Sequence, residues 1–275
     1  MKLQKHLTFR PKGNITFDHK QYIFYPKLRC REVRVAKRVL RGSRHTVPSS
    51  TQKLKARTMT DAEYLVRKEI IATCLAMEKK GINQGTSGNV SARWNDGLLI
   101  TPSGLAYETM SPEEVIFLER DGTPHGPHSA SSEWRFHLDI ILARPDIQAI
   151  VHAHPNYCTA HAILGKGIPA IHYMIAVAGG STIRCAPYAT FGTEELSRGA
   201  VNALEGRLAC LLANHGLIAC GPSLRKALWL ANEVEVLAKQ YFLSLQIGEP
   251  VILSDEEMTI VVDKFKTGYG PKGKV

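Results

Sequence analysis

The stretch Val151-His152-Ala153-His154-Pro155 limits this chain more than any other. It follows Gln148-Ala149-Ile150, and the apolar, β-prone character of residues 148–154 predicts a strand. Strand side chains alternate faces, so His152 and His154 point the same way, roughly 7 Å apart along the strand. Two imidazoles on one face can grip one metal ion. Asn214-His215-Gly216, after the apolar run 208–213, offers a third. Three neutral imidazoles suit zinc and leave a coordination position open for substrate. Against this stands the ordinary reading, in which each of the 11 histidines is a satisfied core or surface residue.

Just upstream, Ser131-Ser132-Glu133-Trp134-Arg135-Phe136-His137 opens a predicted helix running to about residue 143. Serine hydroxyls at a helix N-terminus, with its free N–H groups and positive dipole end, make a phosphate cradle. Glu133 reads either as a capping carboxylate or as an acid/base beside the metal. A second polar loop, Gln84-Gly85-Thr86-Ser87-Gly88-Asn89-Val90-Ser91, enters a strand. It lacks the lysine of a Walker A loop and does not match G-x-G-x-x-G. Gly88 and Asn89 can still offer backbone N–H groups and an amide to an anion, although an ordinary β-turn explains them as well.

Charge is unevenly placed. Of 35 Lys and Arg, 16 lie in residues 1–58 beside only Asp18 and Glu32, leaving 19 basic against 23 acidic residues for the rest. The chain therefore reads as a basic N-terminal extension, 1–58, and a mildly acidic domain, 59–275. Nucleic-acid binding, were it present, would belong to the extension alone. A transit segment is the other functional reading of that extension. A dispensable leader without a packed core is the expectation, because it shows no sustained apolar period. No run approaches the ~18 apolar residues of a membrane helix, and Met1-Lys2-Leu3-Gln4-Lys5-His6 leads into no signal-peptide core. The six cysteines show no C-x-x-C pair and sit mostly in apolar segments. That usage fits reduced thiols in a cytoplasmic protein. No nucleic-acid or membrane partner is expected.

A helix is predicted over 61–80, with Leu65, Ile70, Cys74, Leu75 and Met77 as its apolar stripe and Gly81 as its stop. Strands are predicted at 98–100, before the polar turn Thr101-Pro102-Ser103-Gly104, and at 114–118. Short helices are predicted at 156–164 and 193–204, two strands flank His215 within 208–219, and a long helix covers 224–245. The fold class is α/β of the α+β type, a central, mostly antiparallel sheet covered by helices. His172 and Tyr173 interrupt the apolar run 171–175. A tyrosine in such a run needs a partner for its hydroxyl.

Taken together these segments resemble the class II aldolase/adducin family. The resemblance rests on 83–91, 100–104, 131–137, His152-Ala153-His154, 168–180, 185–193 and 215–220, within about 61–269. It implies the family's three-layer fold and one zinc ion per subunit, held by His152, His154, His215 and, at rest, Glu133. It implies that Glu133 is also the catalytic base. Gly88, Asn89, Ser103, Gly104, Ser131 and Ser132 would hold a phosphate. Tyr173 would exchange a proton with the aldehyde oxygen from a neighbouring subunit of a homotetramer, whose active sites lie at subunit interfaces. Tyr269 would belong to a tail over the site. The implied reaction is reversible retro-aldol cleavage of a sugar phosphate, L-fuculose 1-phosphate, to dihydroxyacetone phosphate and L-lactaldehyde. Two positions depart from the pattern: Ser103 stands where the family often has Thr, and Gly268 is inserted before Tyr269. Members that cleave rhamnulose phosphate or epimerise pentulose phosphates are the alternatives, as is a non-enzymatic adducin-like module. The epimerases carry Asp where this chain has Glu133, and adducin-like modules lack the metal set.

Overall fold

The computed structural model describes residues 59–268. The basic extension 1–58, Cys30 and Tyr269 lie outside the described residues. An eight-stranded sheet forms the middle layer. In chain order its strands are β1 (Asn89–Trp94), β2 (Gly97–Ile100), β3 (Ile116–Leu118), β4 (Pro124–His125), β5 (Ala149–Ala153), β6 (Arg184–Ala186), β7 (Ala209–Leu212) and β8 (Gly216–Gly221). Their spatial order is β4-β3-β2-β1-β5-β8-β7-β6. Every pairing is antiparallel except β6 with β7.

The helices are α1 (Asp61–Lys79), α2 (Trp134–Ala143), α3 (Asn156–Ile163), α4 (Glu194–Ala203), α5 (Leu224–Ile247) and α6 (Asp255–Gly268). Strand alternation divides them between two faces. On one face Val151, Leu211 and Leu217 meet Ile70 and Met77 of α1, Leu230 and Val234 of α5 and Met258 of α6. On the other, Ile150, Leu212 and Ile218 meet Phe136 and Ile140 of α2 and Leu196 and Ala200 of α4. The expected helix-covered antiparallel sheet is therefore present, in three layers. Among the described residues no helix is long and apolar enough to cross a membrane. Cys74, Cys158, Cys185, Cys210 and Cys220 are free, and burial pushes the Cys220 thiol up to about 12.

Three local expectations are corrected. The predicted strand 114–118 starts later, because Pro112–Glu114 forms a 3-10 turn closed by a Ser111–Glu114 capping box. The predicted helix at Ser131 starts at Trp134. The inner face of α1 also differs. Thr60 caps its N-terminus, and Gly81, at φ 70°, follows its end as expected. Leu65 and Leu75, however, face outward at 64% and 39% exposure. The buried row runs through Glu63, Arg67, Ile70, Cys74 and Met77, a clean i, i+3/i+4 stripe. Two of its members are charged. Arg67 Nη2 lies 2.6 Å from Glu63 Oε1, and Arg67 also donates to the carbonyls of Pro112 and Val115. This pins α1 to the turn before β3. Arg67→Met is expected to remove this ion pair and the bonds to the Pro112 and Val115 carbonyls, and to destabilise the domain by about 1–3 kcal/mol. Denaturant unfolding checks this, and a shift below about 1 kcal/mol would contradict it.

Candidate metal centre and substrate cleft

His152 shares the parity of Ile150, so it lies on the sheet face that α2 covers. Its fully buried ring meets Phe136 of α2 edge-on at 5.3 Å. His154 follows two residues later, just past the end of β5. His215 sits in the tight turn between β7 and β8, where Asn214 takes φ 54°. Because β8 pairs with β5, this turn falls beside His154. Gly216 makes the approach possible. A Cβ there would lie 2.5 Å from the Ala153 carbonyl oxygen and 2.6 Å from His154 Cδ2. Gly216→Ala should displace the His154 ring and weaken metal binding by about 10-fold or more, the scale of a disturbed supporting shell. Chelator competition would measure it, and unchanged affinity would refute it.

Glu133 completes the group. It occupies the N-cap position of α2, yet its side chain makes no capping hydrogen bond. The capping reading is thereby excluded. The carboxylate turns into the cluster, held by Asn89 Nδ2 at 2.9 Å. The four ligand-type atoms of Glu133, His152, His154 and His215 lie within 4.8 Å of one another. His152 Nε2 is 3.1 Å from Glu133 Oε2 and 3.0 Å from His154 Nε2, and His215 Nε2 is 3.1 Å from Glu133 Oε1.

Proton bookkeeping tests whether a cation fits here. His152 Nδ1 lies 3.0 Å from the Leu217 carbonyl oxygen, so it carries the proton and donates it. In its neutral form the ring then points a bare Nε2 into the cluster, the tautomer that outer-shell carbonyls impose on metal-ligating histidines. Glu133 Oε1 is buried and has no hydrogen bond, despite His215 at salt-bridge distance. Burial alone would raise the Glu133 carboxyl. Positive charge at His152 and His215 overcomes this and holds it well below the usual carboxylate range, a charge that a bound cation supplies when the rings are neutral. Burial, with His152 and His215, pushes His154 down to about 4. An ionised carboxylate and neutral imidazoles converge with an oxygen unsatisfied, so the donor set fits a divalent cation.

The cluster opens onto a cleft of about 340 Å³, lined also by Ser87, Ser132, Tyr188, Phe191 and Asn214. Backbone bonds join the expected anion loops to one another, and of their six named residues Ser132 lines the cleft. Thr101 links to Val90, Ser131 to Thr101, and Ser103 to Ser129. These bonds set Gly88, the Ser103-Gly104 turn and Ser131-Ser132 on adjacent segments. Ser132 faces the cleft, whereas Ser131 is buried with its Oγ accepting from Glu133 N at 3.3 Å. Asn89 is also buried and already spans Glu133 and His137.

Tyr173 is not brought to this cleft within one chain. It starts the 3-10 segment Tyr173–Ala178, is 44% exposed, and its ring stacks on Phe265 of α6 at 6.5 Å. The sequence reading gave no role to Ser87, Tyr188, Phe191 or Asn214, nor to His137 behind Glu133. Only the pairing of distant strands and helices places them.

Three imidazoles and one carboxylate, gathered where the central strands β5 and β8 meet the start of α2, form a candidate metal centre. The chain belongs to the class II aldolase and adducin family: the family model "Class II Aldolase and Adducin N-terminal domain" matches residues 68–242. The L-fuculose phosphate aldolase of Escherichia coli (strain K12) is 55% identical over 204 residues, covering 74% of this chain and 94% of that protein. The 5-methylthioribulose-1-phosphate/5-deoxyribulose-1-phosphate aldolase of Rhodospirillum rubrum is 51% identical over 217 residues, covering 79% and 98%. A solved L-fuculose 1-phosphate aldolase superposes with a TM-score of 0.72 at 41% identity, covering 76% of this chain and 98% of that one.

Proposed function

We propose that this chain is a zinc-dependent aldolase that reversibly cleaves L-fuculose 1-phosphate to dihydroxyacetone phosphate and L-lactaldehyde. The observation that carries the reading is the buried carboxylate, Glu133, facing three imidazoles with one oxygen unsatisfied. The similarity to aldolases of phosphorylated ketoses supports the substrate class. Glu133, His152, His154 and His215 would hold the zinc. When bound, zinc supplies Lewis-acid stabilisation for negative charge developing on the ketose oxygens.

The chain's own residues do the rest. Gly88, Asn89, Ser103, Gly104, Ser131 and Ser132 hold the phosphate, and that remote binding orients the reacting carbons. In the condensation direction Glu133 takes a proton from the hydroxymethyl carbon of dihydroxyacetone phosphate. The resulting carbanion forms the carbon–carbon bond to the aldehyde carbon, and Tyr173 gives a proton to the aldehyde oxygen. Cleavage reverses these transfers. Tyr173 is assigned to a neighbouring subunit of a homotetramer, in keeping with its exposed position away from its own chain's cleft. Tyr269 is assigned to a tail over the cleft. The free core cysteines support a reducing, cytoplasmic setting.

The test is cleavage by the zinc-loaded full chain of L-fuculose 1-phosphate, L-rhamnulose 1-phosphate, 5-deoxyribulose 1-phosphate and 5-methylthioribulose 1-phosphate. The highest kcat/KM is expected for L-fuculose 1-phosphate. A higher value for another ketose would reassign the substrate, and release of no dihydroxyacetone phosphate from any would overturn the aldolase reading.

A further inference from the structure

A buried chain of hydrogen bonds leads from Glu133 into the core. Asn89 Nδ2 donates to Glu133 Oε2 at 2.9 Å, Asn89 Oδ1 lies 2.5 Å from His137 Nε2, and His137 Nδ1 lies 2.7 Å from Ser91 Oγ. Asn89 is 4% exposed, and Ser91 and His137 are fully buried. The four residues interleave two elements. Asn89 and Ser91 lie two apart on β1, hence on one face and about 6.6 Å apart. Glu133, the N-cap of α2, and His137 in its first turn lie four apart, about one helical turn or roughly 6 Å. The two spacings match, so strand and helix supply alternate links.

The direction of every bond follows from one end. An ionised carboxylate only accepts, so Asn89 must turn its NH₂ to Glu133 and its oxygen to His137. His137 Nε2 must then carry the proton, leaving Nδ1 to accept from the Ser91 hydroxyl. The ring is neutral in this arrangement, and burial, with His152 nearby, pushes its pKa down to about 3. An asparagine amide has two orientations of nearly equal shape. Without a donor at its oxygen it can turn over, setting that oxygen against the carboxylate.

We propose that His137 is a positioning residue: by donating Nε2–H to Asn89 it fixes the amide so that Glu133 is aimed at the three imidazoles. This rests on the role given to Glu133 under the proposed function. His137 touches neither substrate nor metal, so its effect passes through Asn89. A histidine that merely filled the core would leave Asn89 indifferent to it.

The experiment compares His137→Gln with His137→Asn in the zinc-loaded full chain. The glutamine amide reaches as far as Nε2 and can keep the bond to Asn89. The asparagine amide reaches only as far as Nδ1 and can keep the bond to Ser91. Zinc affinity by chelator competition, solvent-hydrogen exchange into dihydroxyacetone phosphate, kcat, KM and thermal midpoint are measured for each. His137→Asn is expected to lose about 10–100-fold in zinc affinity and in exchange rate, with kcat falling more than KM rises. His137→Gln should recover most of both. In an Asn89→Ala background, His137→Asn should add less than about twofold, the mark of one residue acting through the other. Equal losses with and without Asn89, or a His137→Gln no better than His137→Asn, would overturn the proposal. Should either variant fail to fold, Ser91→Ala in wild type and in Asn89→Ala repeats the cycle. A loss confined to the background with Asn89 intact supports the proposal, and equal effects overturn it. Absence of exchange in the wild type would overturn the proposed function instead, and zinc affinity still decides the role of His137.

Discussion

His152→Ala is expected to cost the protein its metal and its activity together. His152 is the fully buried member of the imidazole set. Its Nε2 lies within 3.1 Å of both Glu133 and His154, and its ring centroid is 4.8 Å from those of His154 and His215. The bond from Nδ1 to Leu217 sets its tautomer before any metal arrives. The substitution leaves two imidazoles and a carboxylate around a space no longer shaped for a tetrahedral ion. Zinc affinity should fall by at least about 100-fold, the upper end of what losing a mere outer partner costs. Because metal binds the folded state, adding zinc should raise the wild-type thermal midpoint and leave that of His152→Ala unchanged. His128→Ala is the control, since that ring is exposed and pairs with Glu114, away from the cluster. Metal analysis and calorimetry in parallel decide the matter. His152→Ala retaining stoichiometric zinc at wild-type affinity would remove the ring from the centre.

The convergence of the three histidines was legible because strand alternation is a local rule. His152 and His154 declare a common face without reference to any other segment, and an apolar run ending in Asn214-His215-Gly216 marks a turn with equal economy. What alternation could not reveal is which helix would close over that face. The carboxylate of Glu133 reads as a cap or as a ligand until its α2 position shows a cap without a capping bond. The inner face of α1 was misread for a different reason. Apolar residues alone were counted, whereas the buried row includes Glu63 and Arg67, which neutralise each other and satisfy the 112–115 turn. Such a pair has no signature in hydropathy. The Asn89-His137-Ser91 chain is likewise invisible until β1 lies beside α2, since its members come from segments more than 40 residues apart. Tyr188 and Phe191 gained a place only when the loop after β6 was seen at the cleft.

The largest separable effect is expected from two variants that fail in opposite ways. Glu133→Gln keeps the shape of the side chain but cannot accept a proton, so exchange of solvent hydrogen into dihydroxyacetone phosphate should stop. Tyr173→Phe should leave that exchange intact, because the ketose half has no use for the phenol. It should instead lower kcat for condensation and cleavage by ~10²–10⁴, the usual contribution of a positioned acid. Position motivates assigning the two residues to different chains. Glu133 is buried in the cluster, whereas Tyr173 is half exposed on the 3-10 segment, packed against α6 and absent from its own cleft. If each site takes its carboxylate from one subunit and its phenol from the next, every pure mutant oligomer is dead. A mixed oligomer is not. In a one-to-one random mixture, half the sites keep Glu133, and half of those face a neighbour that keeps Tyr173. About a quarter of the wild-type activity should therefore return after the two variants are dissociated and reassembled together, by the head-to-tail geometry of such a ring. Each variant reassembled alone provides the baseline. Recovery near that quarter supports a site shared between subunits. A mixture no more active than the baseline, in oligomers shown by mass to contain both chains, would return Tyr173 to a structural role and leave the aldehyde oxygen to another donor.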